Sequence, residues 1–364
     1  MKILWFTWKD INHPQAGGAE YIDSYLAKSL VKDGHEVIFL VSNYKGGKSK
    51  EKINGYQVIR VGNRFTVYWE TFLYFRKNLS SWPDLIIEEI NTIPFFTQLY
   101  SNKKRLLLIY QLCREIWFYQ VFYPLNILGF LLEPLYLRLL NKNQVLTESN
   151  STKQDLLKYG FAANEIFVFP VGVNAGANLN YEKFSKFSLV SLGAIRPMKR
   201  THDQMAAFEM AKKHIPELQF IIAGDSQNAY GKKILKLIKH SEYREDIKYL
   251  GRVDNQLKAK IMSKAHLLLS TSVKEGWGLT LTEAGASGTP AVVFNIDGLR
   301  DSVRNEKTGL ICRINSPSEM AKNIVRLYQD KKLYYRFRRS AKTWNSRFTP
   351  KASYRKFIKY AKIS

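Results

Sequence analysis

Short apolar runs alternate with longer amphipathic segments along most of the chain. In the first half, runs of strand length lie at 2–7, 37–41, 85–89, 106–110, 145–147 and 166–169. In the second half they lie at 188–192, 219–222, 247–250, 267–270, 291–294 and 309–312. Apolar residues at helical spacing predict helices between them, for example at 19–33, 200–214, 255–265 and 316–329. This alternation predicts parallel sheets joined by right-handed βαβ crossovers.

A turn-rich stretch at 171–181 separates the two series of strands. The chain has 364 residues, more than a single hydrophobic core usually serves. We therefore predict an α/β protein of two doubly wound, Rossmann-like domains, residues 1–172 and 173–348. Ligands of such sheets bind outside the carboxyl ends of the strands, so we expect the site in a cleft that the two domains face.

The formal net charge of +25 indicates an anionic partner. Residues 331–364 contain 12 Lys or Arg, no Asp or Glu, and interleaved aromatic residues. This pattern fits either a solvated helix face or a helix at an anionic membrane surface. A nucleic-acid partner is not predicted, because no helix-turn-helix, zinc-finger or RNP signature accompanies the charge.

A second aromatic stretch, 116–140, is too often interrupted by proline and charge to span a membrane. It is either a buried helical excursion or a surface that contacts a membrane or another copy, and 65–77 has the same character. The first residues read as a buried strand and not as a signal peptide, and Cys113 and Cys312 suggest neither disulfide nor zinc site. We expect a cytoplasmic protein, peripheral on the inner face of the membrane.

The candidate chemistry begins after the apolar run at 267–270, where Gly276 and Gly278 flank Trp277 and a small-residue helix starts near Leu279. Glycines allow close approach to the backbone, and the unpaired N–H groups of a helix start favour phosphate oxygens. Glu275, just before this anion site, has the acceptor oxygens that sugar hydroxyl groups need.

The helix start itself predicts a diphosphate site on the N–H groups of Leu279 and Thr280. Glu283 lies about one helical turn further on and is placed to accept bonds from a ribose diol. Thr280 and Glu283 also satisfy a T-x-x-E capping box, so their spacing alone leaves both interpretations open.

Two further glycine turns follow predicted strands. Gly193 precedes Arg196 and Lys199, which are placed to neutralise the charge on a departing nucleoside diphosphate. Gly17 and Gly18 open the first helix, a pattern that by itself is more typical of a turn than of a phosphate loop.

These elements occur together in a fixed order. They are Gly17-Gly18, Gly193-x-x-Arg196-x-x-Lys199, Ala223-Gly224-Asp225, Leu250-Gly251, Glu275-x7-Glu283 and Gly285-x-x-Gly288-Thr-Pro290. The ordered set resembles the retaining glycosyltransferase family 4, from the first residue to about Phe348.

The resemblance implies a GT-B fold in which a C-terminal helix, 349–364, crosses back to the first domain. It implies an acceptor-binding first domain, and a second domain that binds a UDP- or GDP-sugar. Transfer would retain the anomeric configuration and require neither metal nor cofactor. By resemblance, Glu275 holds the donor sugar, Glu283 the ribose, and Arg196 and Lys199 the diphosphate. The remaining donor-site positions are Gly17, Gly18, Gly193, Gly224, Gly276, Trp277, Gly278, Leu279 and Thr280.

One position departs from the family. Tyr110 stands where the family commonly has a histidine near the donor sugar, and a phenol is a poor acceptor of charge near neutral pH. Arg114 and Glu115 are the nearest ionisable candidates on the acceptor side. We expect a hexosyltransferase of cell-envelope glycan synthesis acting on a lipid-linked, polysaccharide or glycan acceptor. The alternative is a catalytically weakened GT-B protein that serves as a partner or scaffold.

Overall fold

The computed structural model describes residues 1–173 and 181–363, which form two compact units. Unit 1 comprises Met1–Trp117, Val121–Val171 and Pro350–Ser364. Unit 2 comprises Phe118–Gln120 and Gly172–Thr349. The predicted boundary at 171–181 lies partly outside the described residues.

Unit 1 is built on a sheet of eight strands in the order β3-β4-β2-β1-β5-β6-β7-β8. The strands are β1 (Lys2–Phe6), β2 (Glu36–Ser42), β3 (Lys50–Ile53), β4 (Tyr56–Val61), β5 (Leu85–Glu89), β6 (Lys104–Leu108), β7 (Val145–Thr147) and β8 (Ile166–Val168). The helices in this part of the sequence are α1 (Gly18–Lys32), α2 (Val67–Tyr74), α3 (Trp117–Gln120), α4 (Leu125–Leu140) and α5 (Asn150–Leu157).

Unit 2 has a six-stranded sheet, every neighbouring pair parallel, in the order β11-β10-β9-β12-β13-β14. The strands are β9 (Ser188–Leu192), β10 (Gln219–Ala223), β11 (Ile247–Tyr249), β12 (Leu267–Ser270), β13 (Ala291–Val293) and β14 (Gly309–Ile311). The helices are α6 (Thr201–Lys212), α7 (Ala229–His240), α8 (Asn255–Lys264), α9 (Leu279–Ala286), α10 (Leu299–Ser302), α11 (Pro317–Gln329) and α12 (Lys331–Asn345).

The predicted fold class is confirmed in both units. Every apolar run identified in the sequence is a strand, with ends displaced by no more than two residues. The prediction missed the hairpin of β3 and β4, the antiparallel pair at the edge of the first sheet. Asn54 and Gly55, both with positive φ, form its two-residue turn. An Asn-Gly pair between two short strand-like segments is the usual signal for such a turn.

The C-terminal helix α13 (Pro350–Ala361) belongs to unit 1. Phe357 stacks on Trp5 with 6.0 Å between ring centroids, and the Tyr354 hydroxyl donates to Asp33 Oδ2 at 2.6 Å. Tyr334 and Phe337 of α12 lie in the core of unit 2. These four aromatic rings of the basic C-terminal region are therefore core residues and do not provide a membrane-facing surface.

The aromatic stretch 116–140 is buried on one side only. Its main helix, α4, buries Tyr136, Leu137 and Leu140 in the core of unit 1, while its opposite side is exposed. Among the described residues, no helix is long and apolar enough to cross a bilayer.

Candidate functional site

A pocket that is open to solvent lies at the carboxyl ends of β9 and β12 in unit 2. Five of the predicted site residues line it, namely Gly193, Lys199, Glu275, Gly278 and Thr280. The other lining residues are Ser191, Leu192, Ala194, Thr201, Gln204, Leu269, Ser270, Ser272 and Leu299. This is the edge of the sheet at which doubly wound proteins bind ligands.

Two neighbouring glycines shape the wall of the pocket. Gly193, with φ of +123°, turns the chain away from the end of β9. A Cβ atom on Gly224 would lie 1.9 Å from the carbonyl oxygen of Gly193, too close for any side chain. The two strand ends therefore approach each other at a distance that only glycine at position 224 permits.

Lys199 and Glu275 form the charged centre of the pocket. The Lys199 ammonium group donates to Glu275 Oε1, which also accepts from the Ser272 hydroxyl at 2.6 Å. Both side chains are partly exposed, at 34% for Lys199 and 16% for Glu275. A cation and a carboxylate are thus held side by side where an entering ligand can reach them.

The start of α9 supplies an anion site next to this pair. Gly278, with φ of +90°, precedes the helix, and no side chain caps it. The N–H groups of Leu279 and Thr280 have no backbone acceptor within the part of the chain that the structure describes. Unpaired N–H groups at a helix start, together with the positive end of the helix dipole, favour phosphate oxygens.

Glu283 does not form the capping box that its spacing allowed. The helix begins at Leu279, one residue before Thr280, so Thr280 is not the residue that caps it. Glu283 Oε1 instead accepts from Lys258 at 2.7 Å. The capping-box interpretation is wrong, because the glycine at 278 fixes the helix start at a different residue.

Trp277 faces the interior. It is buried, its indole N–H donates to Thr282 Oγ1 at 2.8 Å, and its ring meets Phe348 edge-on at 5.2 Å between centroids. Gly276 beside it is also buried. These residues hold the loop before α9, and neither lines the pocket.

The remaining donor-side cation, Arg196, is exposed and does not line the pocket in this structure. Sequence reasoning missed Ser272 and Lys258, the partners of the two glutamates. Ser272 follows the end of β12 by two residues, a position that could have indicated it. Lys258 lies 25 residues from Glu283, and no local signal links the two.

In unit 1, Gly17 precedes the start of α1 at Gly18. The Gly17 N–H donates to Glu20 Oε2 at 2.6 Å, and Glu20 also pairs with Lys9 at 3.0 Å. A side chain of α1 thus already occupies one of the N–H groups that a phosphate would need.

Tyr110 is buried in unit 1 just beyond the end of β6. Its hydroxyl donates to Asp23 Oδ1 at 2.5 Å, and the Glu89 carboxyl group is a close neighbour of Asp23. Burial, reinforced by the neighbouring Glu89, raises the pKa of Asp23 well above its usual range. Burial and the nearby carboxylates likewise raise the pKa of Tyr110, so it stays a neutral phenol.

Arg114 stabilises the helix α4. Pro134 has no N–H for the carbonyl group of Phe130, and the Arg114 guanidinium donates to that oxygen at 3.1 Å. Glu133 accepts from the Arg114 N–H at 2.6 Å. Glu115 is exposed. The hydrogen bonds of Arg114 therefore hold the loop before α4 in place.

Within residues 1–173 and 181–363, no three His, Cys, Asp or Glu side chains are grouped so that they could hold a metal ion. None of the predicted site residues is assigned to a metal.

Comparison with known proteins supports the same architecture. Residues 16–176 match the family model for Glycosyltransferase Family 4, and residues 181–344 match that for Glycosyl transferases group 1. The chain is 27% identical over 146 residues to N-acetyl-alpha-D-glucosaminyl L-malate synthase of Bacillus anthracis. This stretch spans 40% of the chain and 37% of that relative's length.

Two solved structures resemble almost the whole chain. Sucrose-phosphate synthase of Thermosynechococcus elongatus has a TM-score of 0.80 at 17% identity, covering 98% of this chain and 97% of the other. Anabaena HepE, solved with UDP and glucose, has a TM-score of 0.75 at 16% identity, covering 99% of this chain and 98% of the other. At such identities these likenesses show the fold alone. With the two family models matched in succession on two parallel-sheet units, the chain belongs to the group 1 glycosyl transferases and has the GT-B fold.

Proposed function

We propose that this protein transfers a hexose from a nucleoside diphosphate sugar, UDP- or GDP-linked, with retention of the anomeric configuration and without a metal ion. The observation that carries the proposal is the pocket of unit 2. It brings Lys199, Glu275 and the uncapped start of α9 onto one open wall. Family membership and the binding of UDP and glucose by HepE support the choice of donor.

The proposed roles follow from the chemistry of each group. The diphosphate binds the N–H groups of Leu279 and Thr280 and the Lys199 ammonium group, and Arg196 reaches it from the rim. As the bond to the sugar breaks, negative charge grows on the leaving diphosphate, and these fixed donors stabilise it.

Two carboxylates complete the donor site. Glu275 accepts hydrogen bonds from hydroxyl groups of the hexose, and its existing contact with Lys199 keeps its side chain oriented. Glu283 Oε1 is held by Lys258, and we assign the ribose hydroxyl groups to its second oxygen, Oε2. Gly193 lines the pocket without a side chain and lets the donor approach the backbone closely, while Gly224 lets the neighbouring strand end pack against Gly193.

We assign the acceptor to unit 1 and propose a lipid-linked or polysaccharide glycan at the inner face of the cell membrane. The net charge of +25 supports an anionic surface or acceptor. The Tyr110 hydroxyl donates its hydrogen bond to buried Asp23, so we assign no proton-transfer step to Tyr110. That same contact is the one observation that favours the alternative, a weakened enzyme that acts as a partner protein.

Donor turnover tests the assignment and separates the two proposals. We expect Lys199→Ala and Glu275→Ala each to lower sugar release from the donor by a factor of about 10² or more. Each substitution removes a charged side chain that contacts the reacting diphosphate sugar in the proposed site. Arg326 and Glu306 form a matched exposed pair outside the pocket, at 2.6 Å. Arg326→Ala and Glu306→Ala should therefore leave turnover unchanged.

Turnover that is equal in all four variants would remove the donor-site assignment. Absence of turnover in the wild-type protein with UDP- and GDP-hexoses, with donor binding retained, would favour the partner-protein alternative.

A further inference from the structure

One surface of unit 1 is not explained by the donor site. We propose that the exposed side of α4 rests on the surface of an anionic lipid bilayer. This α4 leucine face consists of Leu125, Leu128, Leu131, Leu132, Leu135 and Leu139, each at least 43% exposed.

The spacing of these leucines shows an ordered amphipathic surface. Leu128, Leu131, Leu135 and Leu139 follow one another at helical intervals, so their side chains lie along one side of α4. The opposite side is fixed in the core by Tyr136, Leu137 and Leu140. The exposed leucines therefore belong to a helix that is packed against the core, and not to a frayed helix end.

The apolar surface continues beyond α4. Gln98 donates to the carbonyl oxygen of Leu139 at 3.1 Å, which places Leu99, 66% exposed, beside the leucine face. Phe72 of α2 contacts Tyr100 at 4.9 Å between ring centroids. Trp69 of α2, also exposed, contacts Phe72 in turn at 5.3 Å between ring centroids. Contiguous apolar surfaces of this kind mark interaction sites in soluble proteins.

The charges around this surface indicate its partner. Arg138 and Lys142 are exposed at the end of α4, and Arg76 and Lys77 are exposed beside α2. Between residues 116 and 147 the only acidic side chain is Glu133, and it is buried. A leucine-rich centre with basic residues around it is the composition of helices that lie in the interface of an anionic bilayer.

A second copy of the chain fits this surface less well. A twofold interface brings the same patch of both subunits together, so basic residues of one rim would face basic residues of the other. The net charge of +25 adds to that repulsion. An anionic membrane instead covers the leucines and neutralises the rim.

The membrane also agrees with the proposed lipid-linked acceptor, and in that respect the inference rests on the proposed function. The two can be tested apart, because binding to vesicles is measured without donor or acceptor. A variant can then lose vesicle binding and keep donor turnover, or lose donor turnover and keep vesicle binding.

Flotation with vesicles tests the surface directly. The full chain is floated with vesicles of phosphatidylcholine, with and without phosphatidylglycerol. We expect it to float with the anionic vesicles only. The double variant Leu131→Glu with Leu135→Glu should bind at least about tenfold less, because two apolar side chains that would contact the bilayer become anionic. Arg138→Gln should lower binding by about fivefold.

The matched control is Leu237→Glu with Leu257→Glu, two leucines of unit 2 with exposures of 40% and 41%. It changes the net charge equally and should bind about ten times more strongly than the leucine-face variant. If the glutamate pair at 131 and 135 lowers the melting temperature, Leu131→Gln with Leu135→Gln replaces it, with the same expected direction.

Three results would overturn the proposal. The first is failure of the wild-type protein to float with anionic vesicles, and the second is equal loss of binding in the leucine-face and control variants. The third is a wild-type dimer, measured by light scattering, that the leucine-face substitutions convert to a monomer.

Discussion

The two units place polar side chains at the carboxyl ends of their parallel strands in opposite ways. In unit 2, Lys199 and Glu275 line an open pocket. In unit 1, Glu89 at the end of β5 and Tyr110 just beyond β6 are buried, and Tyr110 donates to Asp23 of α1. The same architecture thus gives one strand edge whose polar groups are accessible to a ligand and another whose polar groups are used within the fold. Side-chain environment, and not topology, locates the chemistry.

The largest expected effect on stability comes from a substitution in the backbone turn beside the unit 2 pocket. Gly224→Ala would place a Cβ atom 1.9 Å from the Gly193 carbonyl oxygen, so the strand ends must separate. We expect a loss of about 3 kcal/mol in the free energy of unfolding, and loss of donor binding. Chemical denaturation and calorimetric titration with the donor measure the two effects.

A glycine of unit 1 provides the comparison. A Cβ atom on Gly17 would meet nothing closer than 3.6 Å, and its φ of −137° suits any residue. Gly17→Ala should cost less than about 1 kcal/mol. Similar costs at positions 17 and 224 would contradict the claim that unit 2 builds its pocket by close backbone approach.

A smaller effect is expected from Tyr110→Phe in unit 1. The substitution removes the hydroxyl donor to buried Asp23, and we expect the free energy of unfolding to fall by about 1–3 kcal/mol. Donor affinity should stay unchanged, because the hydroxyl serves the fold. If stability is unchanged and turnover is lost, Tyr110 acts in the chemistry and the contrast between the units is wrong.

The buried acids of unit 1 should also make the free energy of unfolding depend on pH. Because the pKa of Asp23 is raised in the folded state, the unfolded chain releases this proton at lower pH than the folded chain does. Its contribution to stability is therefore fully present below about pH 4 and declines as the pH rises towards the folded pKa.

Asp23→Asn keeps an acceptor for Tyr110 and removes the titration. We expect the variant to gain stability relative to the wild-type protein as the pH rises from about 4 to 7. Thermal melting at several pH values measures this, and parallel curves for the two proteins would argue against a retained proton.

The smallest effect is expected at Thr280 in unit 2. Because α9 starts at Leu279 and not after a capping Thr280, Thr280→Ala should change the free energy of unfolding by less than about 0.5 kcal/mol. A true capping box would lose about 1 kcal/mol. Thermal or chemical denaturation distinguishes the two values.

Features set by local patterns could be predicted from the sequence. Short apolar runs marked the strands of both sheets, and apolar residues at helical spacing marked the helices between them. The return of the chain to the first unit was predicted by the family resemblance. The Asn54-Gly55 hairpin was predictable on the same basis and was overlooked.

Features set by long-range contacts could not be predicted in this way. Lys199 and Glu275 lie 76 residues apart, and Tyr110 and Asp23 lie 87 apart, so no local pattern pairs them. The family resemblance suggested the first pair's location, and nothing suggested the second. Trp277 faces the core although its glycine neighbours indicated a binding loop, because the surrounding packing decides where an aromatic side chain points.

The central claim is that the pocket of unit 2 binds a nucleoside diphosphate sugar through Lys199 and the start of α9. The direct measurement is a thermal-shift series with UDP-, GDP- and ADP-hexoses on the wild-type protein, Lys199→Ala and the control Arg326→Ala. At about 100 times its dissociation constant, a ligand adds about 2.7 kcal/mol of stability. The account predicts that at least one UDP- or GDP-hexose stabilises the wild-type and control proteins but not Lys199→Ala. No stabilisation by any of the donors, or equal stabilisation of all three proteins, would contradict it.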